Sequence, residues 1–156
     1  MSLAQDLLNI ILTEFNNNSI LNKYEIQAYW DARKANATKL MDIAKGHPAG
    51  GIFIMYSTTN YQQVGGAASN ARQFSRYQNI VVEVYLQDDL ETTQIQSLTA
   101  ADIVDTIRAV MYQPPIKATP VSETPWRLSD TKGLYYTGLN FVGRTIYPGT
   151  VTNKFM

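Results

Sequence analysis

The chain has 156 residues, 13 basic and 13 acidic side chains, one histidine and no cysteine. That length suits a single domain able to bury ~70% of the surface its unfolded chain would expose. The absent cysteines exclude disulfides, thiolate metal sites and thiol nucleophiles, one histidine excludes a His-rich metal cage, and zero formal charge argues against a coat for nucleic acid or anionic membrane.

Near-neutral charge together with ten tyrosines suits a protein that sits against other protein, since aromatics enrich interface cores and low charge weakens mutual repulsion. No apolar run approaches the ~20 residues of a membrane span. The opening Met-Ser-Leu-Ala-Gln-Asp lacks the basic stretch of a signal peptide, so export by that route is not expected.

Ser2 and Gln5 read as a capping box for a first helix, with Leu3, Leu7, Ile11 and Phe15 as its buried stripe and Leu8, Ile10 and Leu12 broadening it. Asn16, Asn17, Asn18 and Ser19 end that helix, because Asn tolerates left-handed backbone and competes with helical bonding. Ile20 to Lys34 fits either period: Tyr24, Ile26, Ala28 and Trp30 alternate like a strand, whereas Leu21, Tyr24 and Ala28 fit a helix. An extended or irregular segment is expected there. A short helix follows from Ala37 to Lys45, capped by Asn36 or Thr38 and stopped by Gly46 and Pro48.

Gly51 to Tyr56 reads I-F-I-M-Y and predicts a buried strand. Polar residues Ser57 to Gln63 and the small stretch Val64 to Ser69 then predict the arm and tip of a long hairpin that returns through Phe74 and protrudes from the body. Asn79 to Gln87, N-I-V-V-E-V-Y-L-Q, is the core strand. Phe74, Ile80, Val82, Val84 and Leu86 share its apolar face, Arg72, Arg76 and Gln78 interrupt that face, and the outer end is expected to be wet.

Ala100, Ile103, Val104, Ile107 and Met111 recur at helical spacing, predicting a helix over Ser97 to Met111 with Thr99 as cap and Asp102 three residues on. Pro114 and Pro115 stop it. Trp126 and Leu128 predict a short strand, and Leu134 to Ile146 a closing one ended by Pro148 and Gly149. The whole reads as α+β: a mainly antiparallel sheet with a protruding hairpin, packed against the N-terminal helix and the helix after the central strand. One domain is expected over residues 1–150, with a flexible tail over 151–156.

Candidate chemistry is sparse. His47 lies in a turn, Lys45 to Gly51, and neither this stretch nor Val64 to Ala68 has the Gly-Lys-Ser/Thr ending or the G-x-G-x-x-G spacing of a phosphate loop. Asp88, Asp89 and Glu91 are the one acid group able to supply an acid and a base or bind a hard cation, although solvated carboxylates before a helix serve its dipole equally. Tyr61, Arg72, Arg76 and Tyr77 form a basic-aromatic group on the hairpin, suited to a protein interface more than to nucleic acid. Trp30 and Trp126 read as partly buried anchors. No cofactor fingerprint, metal site or catalytic constellation is found, and a non-enzymatic role is expected.

The order of these parts resembles the tail terminator, or tail completion, proteins of tailed bacteriophages and the related small neck proteins. The resemblance rests on the helix Leu3 to Phe15, the strand Gly51 to Tyr56, the Gly-tipped hairpin, and Ile80-Val-Val-Glu-Val-Tyr-Leu86 followed by the helix ending at Met111. The aromatic strand Gly133 to Ile146 completes it. Pattern and order carry the likeness, with no diagnostic motif, and Ile20 to Ala49 is longer than the pattern predicts. The resemblance implies a virion protein of tail or neck, assembled in the host cytoplasm. Its subunits would close a ring, usually a hexamer, that caps the head-proximal end of the tail tube. Its partners would be other copies, the tail tube protein and neck or connector proteins, with no membrane, no cofactor and no sequence-specific nucleic acid, although a genome could pass through the lumen. Another neck or head-completion component is the alternative, and a small carboxylate or metal-dependent enzyme built on Asp88, Asp89 and Glu91 a more distant one.

Overall fold

The computed structural model describes residues 3–29, 36–64, 73–87, 93–129 and 134–147. Helix α1 spans Leu3–Asn17, and Asn18 ends it by accepting the backbone N–H groups of Ile20 at 2.9 Å and Leu21 at 3.1 Å. A 3-10 turn, Leu21–Lys23, leads into strand β1, Glu25–Tyr29. Helix α2, Ala37–Lys45, is capped by the Asn36 side chain, which accepts from Lys39 N. Strands β2, Gly50–Val64, and β3, Gln73–Gln87, form the long hairpin. Helix α3, Thr93–Tyr112, precedes β4, Thr119–Glu123, β5, Arg127–Ser129, and β6, Leu134–Tyr147.

The fold is α+β with a six-stranded mixed sheet ordered β1-β2-β3-β6-β4, and β5 also pairs with β6. Every pair is antiparallel except β1 with β2. That parallel pair is possible because α2 forms the crossover between the two strands. The ambiguous stretch after α1 therefore resolves into a strand over Glu25–Tyr29, as its alternation allowed, with every residue of it half-buried.

Helices cover both faces of the sheet. On one, Leu8, Ile11 and Phe15 of α1 and Ile103, Ile107 and Met111 of α3 meet Ile52, Ile54, Ile80, Val82, Val84, Leu139 and Phe141. On the other, Leu40 and Ala44 of α2 meet Phe53, Met55, Tyr85 and Leu134. The face of β3 that its Glu, Tyr and Gln residues mark as polar is thus partly core, with Tyr85 only 3% exposed. An aromatic row crosses this face from Tyr29 through Phe53 and Tyr85 to Tyr136, with ring centroids 6.5, 5.5 and 5.7 Å apart. Tyr56 and Tyr85, which composition offers as interface residues, are therefore interior ones.

Two local features fix how the layers meet. Gly50 has φ +123, and a Cβ there would lie 2.1 Å from Tyr85 O, so only glycine lets the chain enter β2 beside β3. Gln87, at the end of β3, donates through Nε2 to the carbonyls of Ala44, Lys45 and His47 at 3.0, 3.0 and 2.9 Å. Its two hydrogens are shared among these acceptors, of which Ala44 O also accepts the His47 N–H, and help to satisfy the end of α2. Gly46 itself has φ −74, so α2 stops at its glycine without the left-handed conformation that often accompanies such a stop.

Helix α3 begins at Thr93, earlier than the capping pattern at Thr99 and Asp102 predicts. Both lie inside the helix, where Asp102 O accepts the Thr106 hydroxyl at 2.6 Å. The Thr-Gln-Ile-Gln-Ser-Leu run before Thr99 contains no breaker, so helical bonding continues through it. The expected cap at Ser2, the tail at 151–156, Trp30, the hairpin tip beyond Val64, and Asp88, Asp89 and Glu91 fall outside the described residues.

Candidate interface on the outer arm

Strands β2 and β3 change surroundings partway along their length. The pairing runs in register from Gly50↔Leu86 to Tyr56↔Ile80, shifts, and resumes from Thr59↔Gln78 to Val64↔Gln73. The extra residue in β2 is a β-bulge, which bends a strand, strengthens its twist and reverses which side chains point to which face. Before it, Ile52, Ile54 and Tyr56 share the face of Ile80 and Val82; beyond it, Thr59 shares that face with Gln78.

Beyond the bulge the hairpin has a third strand, because β6 continues along β3 from Asn79↔Val142 to Phe74↔Tyr147. The arm is a three-stranded ribbon rather than the bare hairpin expected. Its two backbone edges differ. β1 pairs with β2 only as far as Met55, so among the described residues the outer half of β2 has no strand beside it. On the other side β4 reaches β6 only as far as Val142, leaving Gly143 to Tyr147 open in the same sense.

The edge at β4 has a different character. It contains Pro120, its register shifts at Val121, and Arg108 ties Glu123 to Asp105 through contacts of 2.6 Å to each carboxylate. Proline, an irregular ladder and charges blunt an edge against pairing. A cleft of about 300 Å³ lies between this strand and α3, lined by Arg108, Val121, Glu123, Leu139 and Phe141 among others. Its ionic groups are engaged with one another, and its remaining walls offer little besides apolar and amide surface.

Of the four hairpin residues singled out from sequence, Arg76 and Tyr77 are neighbours in β3 and lie on opposite faces, and Tyr61 is the register partner of Arg76. Arg76, expected to be exposed, is buried at 5% exposure, as is Gln78 at 1%. Tyr77 is half-buried, with the Arg144 guanidinium 5.8 Å from its ring centroid. Arg72 and the Tyr61 side chain fall outside the described residues. The wet outer end predicted for β3 is therefore corrected at Arg76 and Gln78. Both keep the two-residue phase of Ile80, Val82, Val84 and Leu86, and that phase was the available signal for an inward-pointing charge.

Three phenols in the body, Tyr24, Tyr29 and Tyr85, have their pKa raised by their surroundings. Burial pushes the Tyr85 hydroxyl far above its ordinary pKa, reinforced by the hydrogen bond it donates to Glu83 Oε2 at 2.7 Å and by that carboxylate's charge. Burial raises Tyr24 as well, and raises Tyr29 together with the charge of Glu25. His47 sits in its turn as expected, with Nδ1 accepting the Ala49 N–H at 3.2 Å. Among the described residues no cluster of His, Asp and Glu could hold a metal ion, and no helix is long and apolar enough to cross a membrane. Comparison with protein-family models and with curated proteins gives no match.

Proposed function

We propose that this chain is a ring-forming structural subunit, of the kind that caps the head-proximal end of a phage tail tube and joins it to the neck. The observation that carries the reading is the outer arm, a three-stranded ribbon that among the described residues has one open edge on β2 and a different one on β6. A ring needs such an arrangement, since each subunit contacts its two neighbours through two unlike patches and the ring closes when the rotation between them closes. Open backbone edges supply affinity by strand addition, each exposed N–H and C=O finding a partner in the next copy. The resemblance in order of parts to tail terminator and neck proteins supplies the biological context. The mechanism on this reading is steric and interfacial, with no turnover.

Light scattering across a concentration series, with negative-stain images of the same sample, tests it. A closed ring, expected as a hexamer, supports the reading. A monomer at every concentration that also fails to bind isolated tail tubes overturns it.

A further inference from the structure

Arg76 is a buried cation whose contacts are to neutral groups. Its Nη2 donates to Gln78 Oε1, and its guanidinium carbon lies 5.7 Å from the centroid of the Tyr56 ring. The same Gln78 oxygen accepts the Thr59 hydroxyl at 2.5 Å, so two donors share it. Nη1 is hidden from solvent and has no acceptor among the described residues. A guanidinium stays charged at any working pH, and a buried charge with an unused donor is the situation that a bound anion relieves.

A second positive pole lies over the same place. A Cβ on Gly143 would come within 3.2 Å of both Leu7 Cδ2 and Ile80 Cδ1, and Gly143 is the register partner of Gln78. The second turn of α1 therefore rests on the Gln78 row. From there α1 runs inward, toward the turn that feeds β1 where Glu25 pairs with Gly51, so its N-terminal turn points out along the arm toward the row of Arg76. The free N–H groups and the dipole of a helix N-terminus favour negative charge.

We propose that Arg76 anchors an oxyanion site at the base of the outer arm, taking a carboxylate or phosphate group between its guanidinium and the first turn of α1. The planar fork of Arg matches the oxygens of either group, and the Gln78–Thr59 pair holds that fork in place. Two sources share this chemistry: a free inorganic anion and an acidic side chain of a second copy. The site does not depend on the ring reading.

The test is a titration of inorganic phosphate into the full chain at constant ionic strength. The thermal midpoint and the 15N resonances of the arginine side chains are the readouts. The wild type should show a saturable rise in midpoint and a shift of one guanidinium resonance, identified by its loss in Arg76→Lys. Arg76→Gln should lose the saturable rise. If that variant does not fold, Arg76→Lys keeps the charge without the fork and should weaken binding at least about tenfold. A midpoint that follows ionic strength alone, with unmoved guanidinium resonances, overturns the proposal. Where the protein assembles, phosphate that lowers the oligomer's mass identifies a neighbour's carboxylate as the source; the same rise in midpoint at unchanged mass identifies the free anion.

Discussion

The inner and outer halves of the β2-β3-β6 ribbon are built from the same strands and differ in what covers them. Inside the bulge, helices lie on both faces and the side chains between them are aliphatic or aromatic. Outside it, β2 and β6 each lose their further neighbour among the described residues, and the inward positions of β3 become Gln78 and Arg76. Buried core and open backbone edge are thus separated along the same strands. On the proposed reading the inner half holds the fold and the outer half offers the contacts.

The largest test of this contrast is Val82→Asp. It places an unpaired charge in the fully buried inner half, at a cost of several of the ~5 to 15 kcal/mol that hold a domain together. The variant should not fold cooperatively, and a soluble protein with a sharp thermal transition would show the core to lie elsewhere. Gly50→Ala is the next largest. Positive φ and the close carbonyl of Tyr85 should make it destabilising by roughly 2 kcal/mol or more, read as a lower denaturant midpoint with an unchanged slope.

Gln87→Ala acts more locally. It removes the amide whose two hydrogens are shared among the carbonyls at the end of α2 and should cost about 1 kcal/mol, with faster amide exchange in α2 than in α1 or α3. Alkaline titration probes the same face without a mutation. The Tyr85 hydroxyl has a folded pKa raised above its unfolded value of about 10, so its contribution is fully present below pH 10 and is lost as pH rises beyond. Stability should fall above about pH 10, and Tyr85→Phe should flatten that fall.

The smallest effect on stability should come from the outer arm. Shortening the connection by deleting Gly65 to Ala68, which leaves the pair Val64↔Gln73 intact, should change unfolding free energy by less than about 1 kcal/mol, because loop-closure entropy varies slowly with length. The same deletion should reduce the oligomer's mass. An unimpaired ring would move the contact surface away from the arm.

Local pattern carried much of this structure. The spacing of Leu7, Ile11 and Phe15, the Asn16–Asn18 stop, the Asn36 cap, the run from Ile80 to Leu86 and the Pro114-Pro115 break each name an element, because period, capping and proline chemistry act within one or two turns of chain. The candidate interface was less legible. Arg76 and Gln78 read as surface residues by type, and only their phase within β3 pointed inward.

What the sequence determined by itself was the helices α1 to α3 and the long strands, the α+β class and the absence of cysteine chemistry; strand β4 is not legible in it, and β1 reads from it only as an extended or irregular stretch. Tertiary structure decided that β1 pairs in parallel with β2, that α2 turns the second face of the sheet into core, and that β6 runs the length of the arm. It also decided that Arg76 is enclosed. These outcomes share one physical cause: each depends on which distant segment covers a given face or edge, and burial of that kind is a property of neighbours in space rather than of neighbours in the chain.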